Sequence, residues 1–250
     1  MKTSVEYNGH TFEINLAEPL DIAMPLQSGD ENVNAWYLDP PTIAPHQIGD
    51  RPGLVREGSA VNFNDIWFNP HAHGTHTECV GHICPEVYSV TRELRHFFYK
   101  AALISIQPEE YHGDLVIQRA QLEDALPAEG FDALVLRTLP NTPQKLHRHY
   151  SNTNPPYLLE AAARYLAERG IDHLLIDLPS VDKEADGGAL LAHKAFWNFG
   201  GPLRMQATIT ELVYIPDDIA DGHYFLNLLP APFVNDASPS RPILYKILET

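Results

Sequence analysis

Asn154-Pro155-Pro156-Tyr157-Leu158-Leu159-Glu160-Ala161-Ala162-Ala163-Arg164-Tyr165-Leu166-Ala167-Glu168-Arg169-Gly170-Ile171-Asp172-His173-Leu174-Leu175-Ile176-Asp177-Leu178 reads as a helix followed by a strand. Asn154 is a suitable cap for the helix. Pro155 and Pro156 stand at its start, where a missing N–H costs nothing. Leu158, Leu159, Ala162 and Leu166 form an apolar stripe, and Gly170 closes the helix. Ile171–Leu178 is then a short apolar strand of the kind buried on both faces.

Upstream, Phe131-Asp132-Ala133-Leu134-Val135-Leu136-Arg137-Thr138 is a second strand of the same type. Strand, helix and buried strand in succession imply a parallel pair with a right-handed crossover. Ala101–Ile106 is a third buried strand, Ile117–Leu126 reads as helical, and a short helix is expected near Thr91–Phe98. Downstream, Ala189–Phe199 reads as a helix and Met205–Tyr214 as a strand. At the other end, Tyr7-Asn8-Gly9-His10 reads as a hairpin turn, and Thr11–Leu16 alternates with period two. Residues 28–60 are rich in Pro, Gly, Asn and Asp and read as a long loop. Trp36, Tyr37 and His46 lie in it, either to wall a pocket or only to pin the loop down. Val61–Phe68 reads as a strand. With no repeat or linker, the 250 residues suit a single α/β domain with a mixed sheet.

Composition narrows the partners. A net charge of −16 disfavours nucleic acid and anionic membranes, which both need basic surfaces. No run approaches the ~20 apolar residues of a membrane helix, and the first residues lack the apolar run of a signal peptide. Cys79 and Cys84 are too few for a disulfide scaffold or a zinc ribbon. A soluble cytoplasmic protein acting on a small molecule is expected.

The chemistry concentrates in Asn69-Pro70-His71-Ala72-His73-Gly74-Thr75-His76-Thr77-Glu78-Cys79-Val80-Gly81-His82. Imidazole and carboxylate suit zinc, manganese and iron. If the stretch runs extended, His76, Glu78 and His82 share a face. Gly74 would then let a metal or substrate approach the backbone. Two distant residues also break a bland pattern. Glu211 sits in the middle of the apolar face formed by Met205, Ala207, Ile209 and Val213. An ionised carboxylate buried there costs several kcal/mol unless it is paired or bound to metal. His193 lies on an apolar helix beside Leu190, Leu191, Ala192 and Phe196.

These elements together resemble the cyclase family, which contains bacterial metal-dependent kynurenine formamidases and isatin hydrolases. The family signature His-x-Gly-Thr-His-x-Asp-x-Pro-x-His is matched by Ala72-His73-Gly74-Thr75-His76-Thr77-Glu78-Cys79-Val80-Gly81-His82. Ser180-Val181-Asp182, His193, Glu211 and Ser238-Pro239-Ser240-Arg241 resemble its later elements. The chain departs from the pattern at Ala72, Glu78 and Val80. Ala72 cannot bind metal, so His71 or His73 must replace it, and His71 is preferred.

The resemblance implies a swivelling β/β/α fold, a homodimer and one or two zinc or manganese ions. It places His71, His76 and Glu78 on one ion, and Glu78, His193 and Glu211 on the other. His82 is left as general acid and base. The implied activity is hydrolysis of an N-formyl aromatic amine or a lactam. Two alternatives compete: a non-catalytic binding protein with a degenerate metal site, and a cupin-like oxygenase, which the central helix disfavours.

Overall fold

Ala133–Thr138 and His173–Ile176 are buried at every position. Strands of this kind need cover on both faces, which a parallel sheet with packed layers provides. In the computed structural model, which describes residues 1–248, they lie side by side in parallel, Ala133 opposite His173. Phe98–Ile106 and Thr208–Glu211 extend the parallel set on either side. The full sheet has eleven strands. Beyond Thr208–Glu211 come two antiparallel strands, His76–Glu78 and then Ala237–Pro239. Beyond Phe98–Ile106 come Gly222–Asn227, Ile243–Leu248 and the N-terminal hairpin, all antiparallel.

The three longest helices share one face. Leu122, Ala162, Leu166, Ala192 and Phe196 pack on Leu134, Leu136, Leu174 and Ile176. Each fully buried Leu or Ile there contributes roughly 1.5–3 kcal/mol. The opposite face, with Ala133, Val135 and Leu175, is covered by Ile22, Tyr224, Leu226 and Leu244 from strands and loops. This is a single-domain α/β fold with a mixed sheet and helices on one side. The helices and parallel strands exclude an all-β cupin. Among the described residues no helix is long and apolar enough to cross a membrane.

Several expected elements are shorter than the sequence suggests. The crossover helix runs Glu160–Glu168, and Asn154 does not cap it. Each residue before a proline avoids the right-handed helical region: Asn154 is left-handed at φ 46°, and the chain continues into the strand Tyr157–Leu158 before the helix starts. Ile117 is likewise taken by a strand, Asp114–Ile117, and the helix there is Arg119–Ala125. Only one turn, Val90–Glu93, forms where a helix over Thr91–Phe98 is expected. Leu191–Phe196 replaces Ala189–Phe199, because Leu190 is left-handed at φ 47°. Thr208–Glu211 ends early because Leu212 turns to φ 52°. The hairpin at Asn8-Gly9 forms as expected, with φ of 50° and 78°. Within the long loop, Thr42–Pro45 pairs with Asn64–Trp67, a strand exposed at all four positions.

Candidate metal centre

The Asn69 side chain accepts from the His71 amide and starts a single helical turn, Pro70–His73. Residues two apart on a helix point to nearly opposite sides, so His71 and His73 part company. His71 faces inward towards Glu78 and Asp236. His73 is buried elsewhere, its Nδ1 accepting from the Asn69 amide at 2.8 Å. Burial lowers its pKa. The chain then straightens into His76–Glu78. Antiparallel register sets Glu211 opposite His76. The 3-10 turn Val80–His82 returns His82 to the cluster. A turn, not shared strand parity, brings His82 beside Glu78. Gly74 does not face the cluster: it lines a separate cavity with Met24, Pro25 and His73. Its carbonyl receives His76 Nδ1 at 3.0 Å.

The expected residues His71, His76, Glu78, His82, His193 and Glu211 therefore converge. Glu78 is the hub. Its Oε2 lies 3.2 Å from His71 Nδ1 and 3.7 Å from His82 Nδ1, and its Oε1 lies 3.0 Å from His193 Nε2. Glu211 reaches His76 Nε2 at 3.4 Å and His193 Nε2 at 3.8 Å, and accepts the Val181 amide at 3.1 Å. The Thr75 hydroxyl donates to the Leu212 carbonyl, holding the turn that follows Glu211.

Two carboxylates complete the group. Asp182 takes the His193 Nδ1 proton at 2.6 Å. Asp236 lies 3.1 Å from both His71 Nε2 and His82 Nδ1. Asp236 escaped the sequence reading, since a lone aspartate in a polar loop carries no periodic signal. Its only clue is its place two residues before Ser238-Pro239-Ser240-Arg241.

Three sets have ligand atoms close enough to share an ion: His71, His76 and Glu78; Glu78, His82 and His193; and His71, His82 and Asp236. The protonation pattern suits such an ion. A carbonyl can only accept, so His76 Nδ1 carries a proton, and in the neutral ring Nε2 is the atom that can bind an ion. That buried Nε2 and the buried Glu78 Oε2 have no hydrogen-bond partner. An unpartnered buried polar atom is costly, and a cation bound between these groups would satisfy both. His193 is prepared in the same way, its Nδ1 fixed by a carboxylate and its Nε2 turned inward.

In the protein alone, protons supply the missing charge. Burial would lower His193, but its bonds to Asp182 and Glu78 prevail and raise it to about 10. Burial likewise opposes His71, which Asp236 and Glu78 raise to about 10. Burial would raise Glu78, yet His82, His193 and His71 hold it well below the usual carboxylate range. His71 and His82 hold Asp236 low in turn.

A cavity of about 430 Å³ opens in front of the cluster. Trp36, Leu38, Asn69, Ser180 and Leu190 line it together with the cluster itself. Of the three loop residues, Trp36 walls this cavity, Tyr37 is exposed, and His46 lies in the loop against Asp65. Trp36, Tyr37 and Leu190 are left-handed at φ 61°, 59° and 47°. Each such residue costs about 1–3 kcal/mol and persists only where its surroundings hold it.

The Cyclase family model, described as "Putative cyclase", matches residues 14–183. The chain is 27% identical over 236 residues to a kynurenine formamidase of Bacillus thuringiensis (strain Al Hakam), covering 92% of this chain and 99% of that one. In fold it resembles an isatin hydrolase solved with the product analogue thioisatinate, with a TM-score of 0.66 and 17% identity. That likeness covers 92% of this chain and 93% of the other. A Bacillus stearothermophilus structure titled a predicted metal-dependent hydrolase gives a TM-score of 0.63 at 18% identity, covering 91% and 98%.

Proposed function

The chain belongs to the cyclase family, and from that premise we propose that it is a metal-dependent hydrolase of an amide-type bond. Its substrate is an N-formyl aromatic amine such as N-formylkynurenine, or a lactam such as isatin. The observation that carries the reading is the buried His76 Nε2, which has no hydrogen-bond partner and faces Glu211, beside a Glu78 Oε2 that also has none. Support for the bond type comes from relatives with the same span, one named kynurenine formamidase.

His71, His76 and Glu78 would hold one zinc or manganese ion, and Glu78, His193 and Glu211 a second. Of these only the first is among the three sets already close enough to share an ion; in the other, His82 stands with Glu78 and His193 in place of Glu211. An ion bound there polarises a carbonyl and lowers the pKa of water. The chain's own residues do the rest. Asp182 fixes the His193 ring by holding its Nδ1 proton. Asp236 orients His82 through Nδ1. His82, 30% exposed at the cavity, takes a proton from the attacking water and delivers it to the leaving nitrogen. Trp36, Leu38 and Leu190 supply apolar wall for a ring. The protein acts as a homodimer in the cytoplasm, where the free thiols of Cys79 and Cys84 suit a reducing environment.

Metal analysis and assays on one purified preparation test this. Stoichiometric zinc or manganese is expected, with hydrolysis of N-formylkynurenine or isatin that a chelator abolishes and the metal restores. Light scattering on the same sample should give a dimer at micromolar concentration; a monomer removes the assembly. Protein that takes up no metal and hydrolyses neither compound would be a binding protein on this scaffold.

A further inference from the structure

The wall residue Trp36 stands on two consecutive left-handed aromatic residues, Trp36 and Tyr37. Aromatic side chains rarely adopt this conformation, so something must hold it. The indole Nε1 donates to the His71 carbonyl at 3.1 Å, joining the wall to the segment that bears the cluster. The other restraints act on Tyr37. Its amide donates to Ser151 Oγ at 2.8 Å, and its hydroxyl donates to Glu184 Oε1 at 2.7 Å.

Among the described residues, Glu184 makes no hydrogen bond or ion pair with the metal cluster. Its carboxylate gathers three donors from two loops. The Asn152 amide reaches Oε1 at 2.5 Å and the Asn154 amide reaches Oε2 at 2.9 Å. Asn152 and Asn154 are themselves left-handed, at φ 64° and 46°. A carboxylate that accepts only fits three converging donors, and charge-assisted bonds of this kind are about twice as strong as neutral ones. Burial opposes the charged form, but these bonds keep Glu184 below its usual pKa and so ionised. Asn34, just upstream, needs no such help, because its backbone pairs with Arg148 and Tyr150. The restraint is local to Trp36 and Tyr37.

We propose that Glu184 is a positioning residue: through the Tyr37 hydroxyl it latches Trp36 in place as the ring-binding wall of the reaction cavity. The latch rests on the hydrolase reading for its consequence, since it acts on substrate fit. Its two polar members, Glu184 and Tyr37, make no hydrogen bond to the cluster or to His82 among the described residues. Its loss frees Trp36 and Tyr37 to relax from the left-handed region and lowers the wall.

Glu184→Gln turns an N–H towards donors, and Tyr37→Phe deletes only the hydroxyl. Each should raise KM for N-formylkynurenine by about 10-fold, the scale of one lost charge-assisted hydrogen bond. Within about twofold, kcat and metal content should stay unchanged. KM for an N-formylated aliphatic amine should move much less, and the double variant should be little worse than either single one. A merely structural role would lower thermal stability and act on both substrates alike.

A second readout needs no turnover. In a Trp67→Phe background, with Trp197 fully buried, acrylamide quenching of fluorescence reports Trp36. Both variants should increase it at least twofold. Unchanged quenching overturns the latch whatever the kinetics show. If the wild type hydrolyses nothing, the proposed function fails while quenching still decides the latch.

Discussion

His76 and His82 differ by one hydrogen-bond partner, and that difference separates their roles. His76 gives its Nδ1 proton to a backbone carbonyl and keeps Nε2 buried without a hydrogen-bond partner. His82 turns Nδ1 to Asp236 at the edge of the cavity. His76→Gln should therefore lose metal and hydrolysis together. His82→Gln should keep metal near wild type and slow hydrolysis by ~100-fold or more, the scale for a general acid–base group. Measured metal content and kcat distinguish the two, and loss of metal in His82→Gln would make His82 a ligand. The histidine run was legible in the sequence because four imidazoles and a carboxylate within a few residues are rare. Glu211 was legible because it breaks an apolar alternation. Asp236 was not, since its partners His71 and His82 lie more than 150 positions away. The direction of His71 was also hidden, because it depends on the single helical turn set by Asn69.

The 3-10 turn Val80–His82 aims His82, and Gly81 is the residue that lets it form. A Cβ on Gly81 would lie 2.5 Å from the Tyr88 carbonyl oxygen, a backbone atom with little room to move. Gly81→Ala should destabilise the protein by about 1–3 kcal/mol, the usual range for overpacking. Thermal unfolding should show a Tm several degrees lower, and an unchanged Tm would mean the turn yields freely. The buried strands Ala101–Ile106, Phe131–Thr138 and Ile171–Leu178 could be located from their apolar runs, and so could the crossover helix. Their ends could not. Asn154 has the chemistry of a cap, but two prolines after it and Glu184 against its amide hold it elsewhere. Leu190 starts a helix and Leu212 ends a strand in a conformation that leucine does not advertise.

Across the whole molecule, the cluster and cavity occupy one end of the parallel strands, while His173 begins its strand at the other. His173 is 4% exposed, bonded through Nδ1 to Thr208 Oγ1, and stacked on Tyr99 at 3.8 Å. Burial first, and the Arg204 charge second, push its pKa down to about 3. In the unfolded chain it would titrate near 6.5. Between those values the unfolded state holds a proton that the folded state refuses, so stability falls as pH falls through that window. From pH 7 to pH 5 this group alone should remove about 2 kcal/mol. His173→Asn can keep a bond to Thr208 without titrating. Urea unfolding at the two pH values should show a shallower loss for this variant. Equal pH dependence in both proteins would mean that His173 is already protonated when folded.

The strand His76–Glu78 lies between two strands made much later. The Thr77 hydroxyl meets those of Thr210 and Ser240, 133 and 163 positions further along. A chain emerging from the ribosome presents its histidine run first and its sheet neighbours last. During that interval the imidazoles and Glu78 are solvated and cannot form a closed cage. Of the two proposed ions, the one that needs His193 and Glu211 could load only after most of the chain is made, and that ion would not nucleate folding as zinc does in a zinc finger. If the proposed second ion is bound, it would therefore be delivered at the end of synthesis, to a chain already assembled around the site.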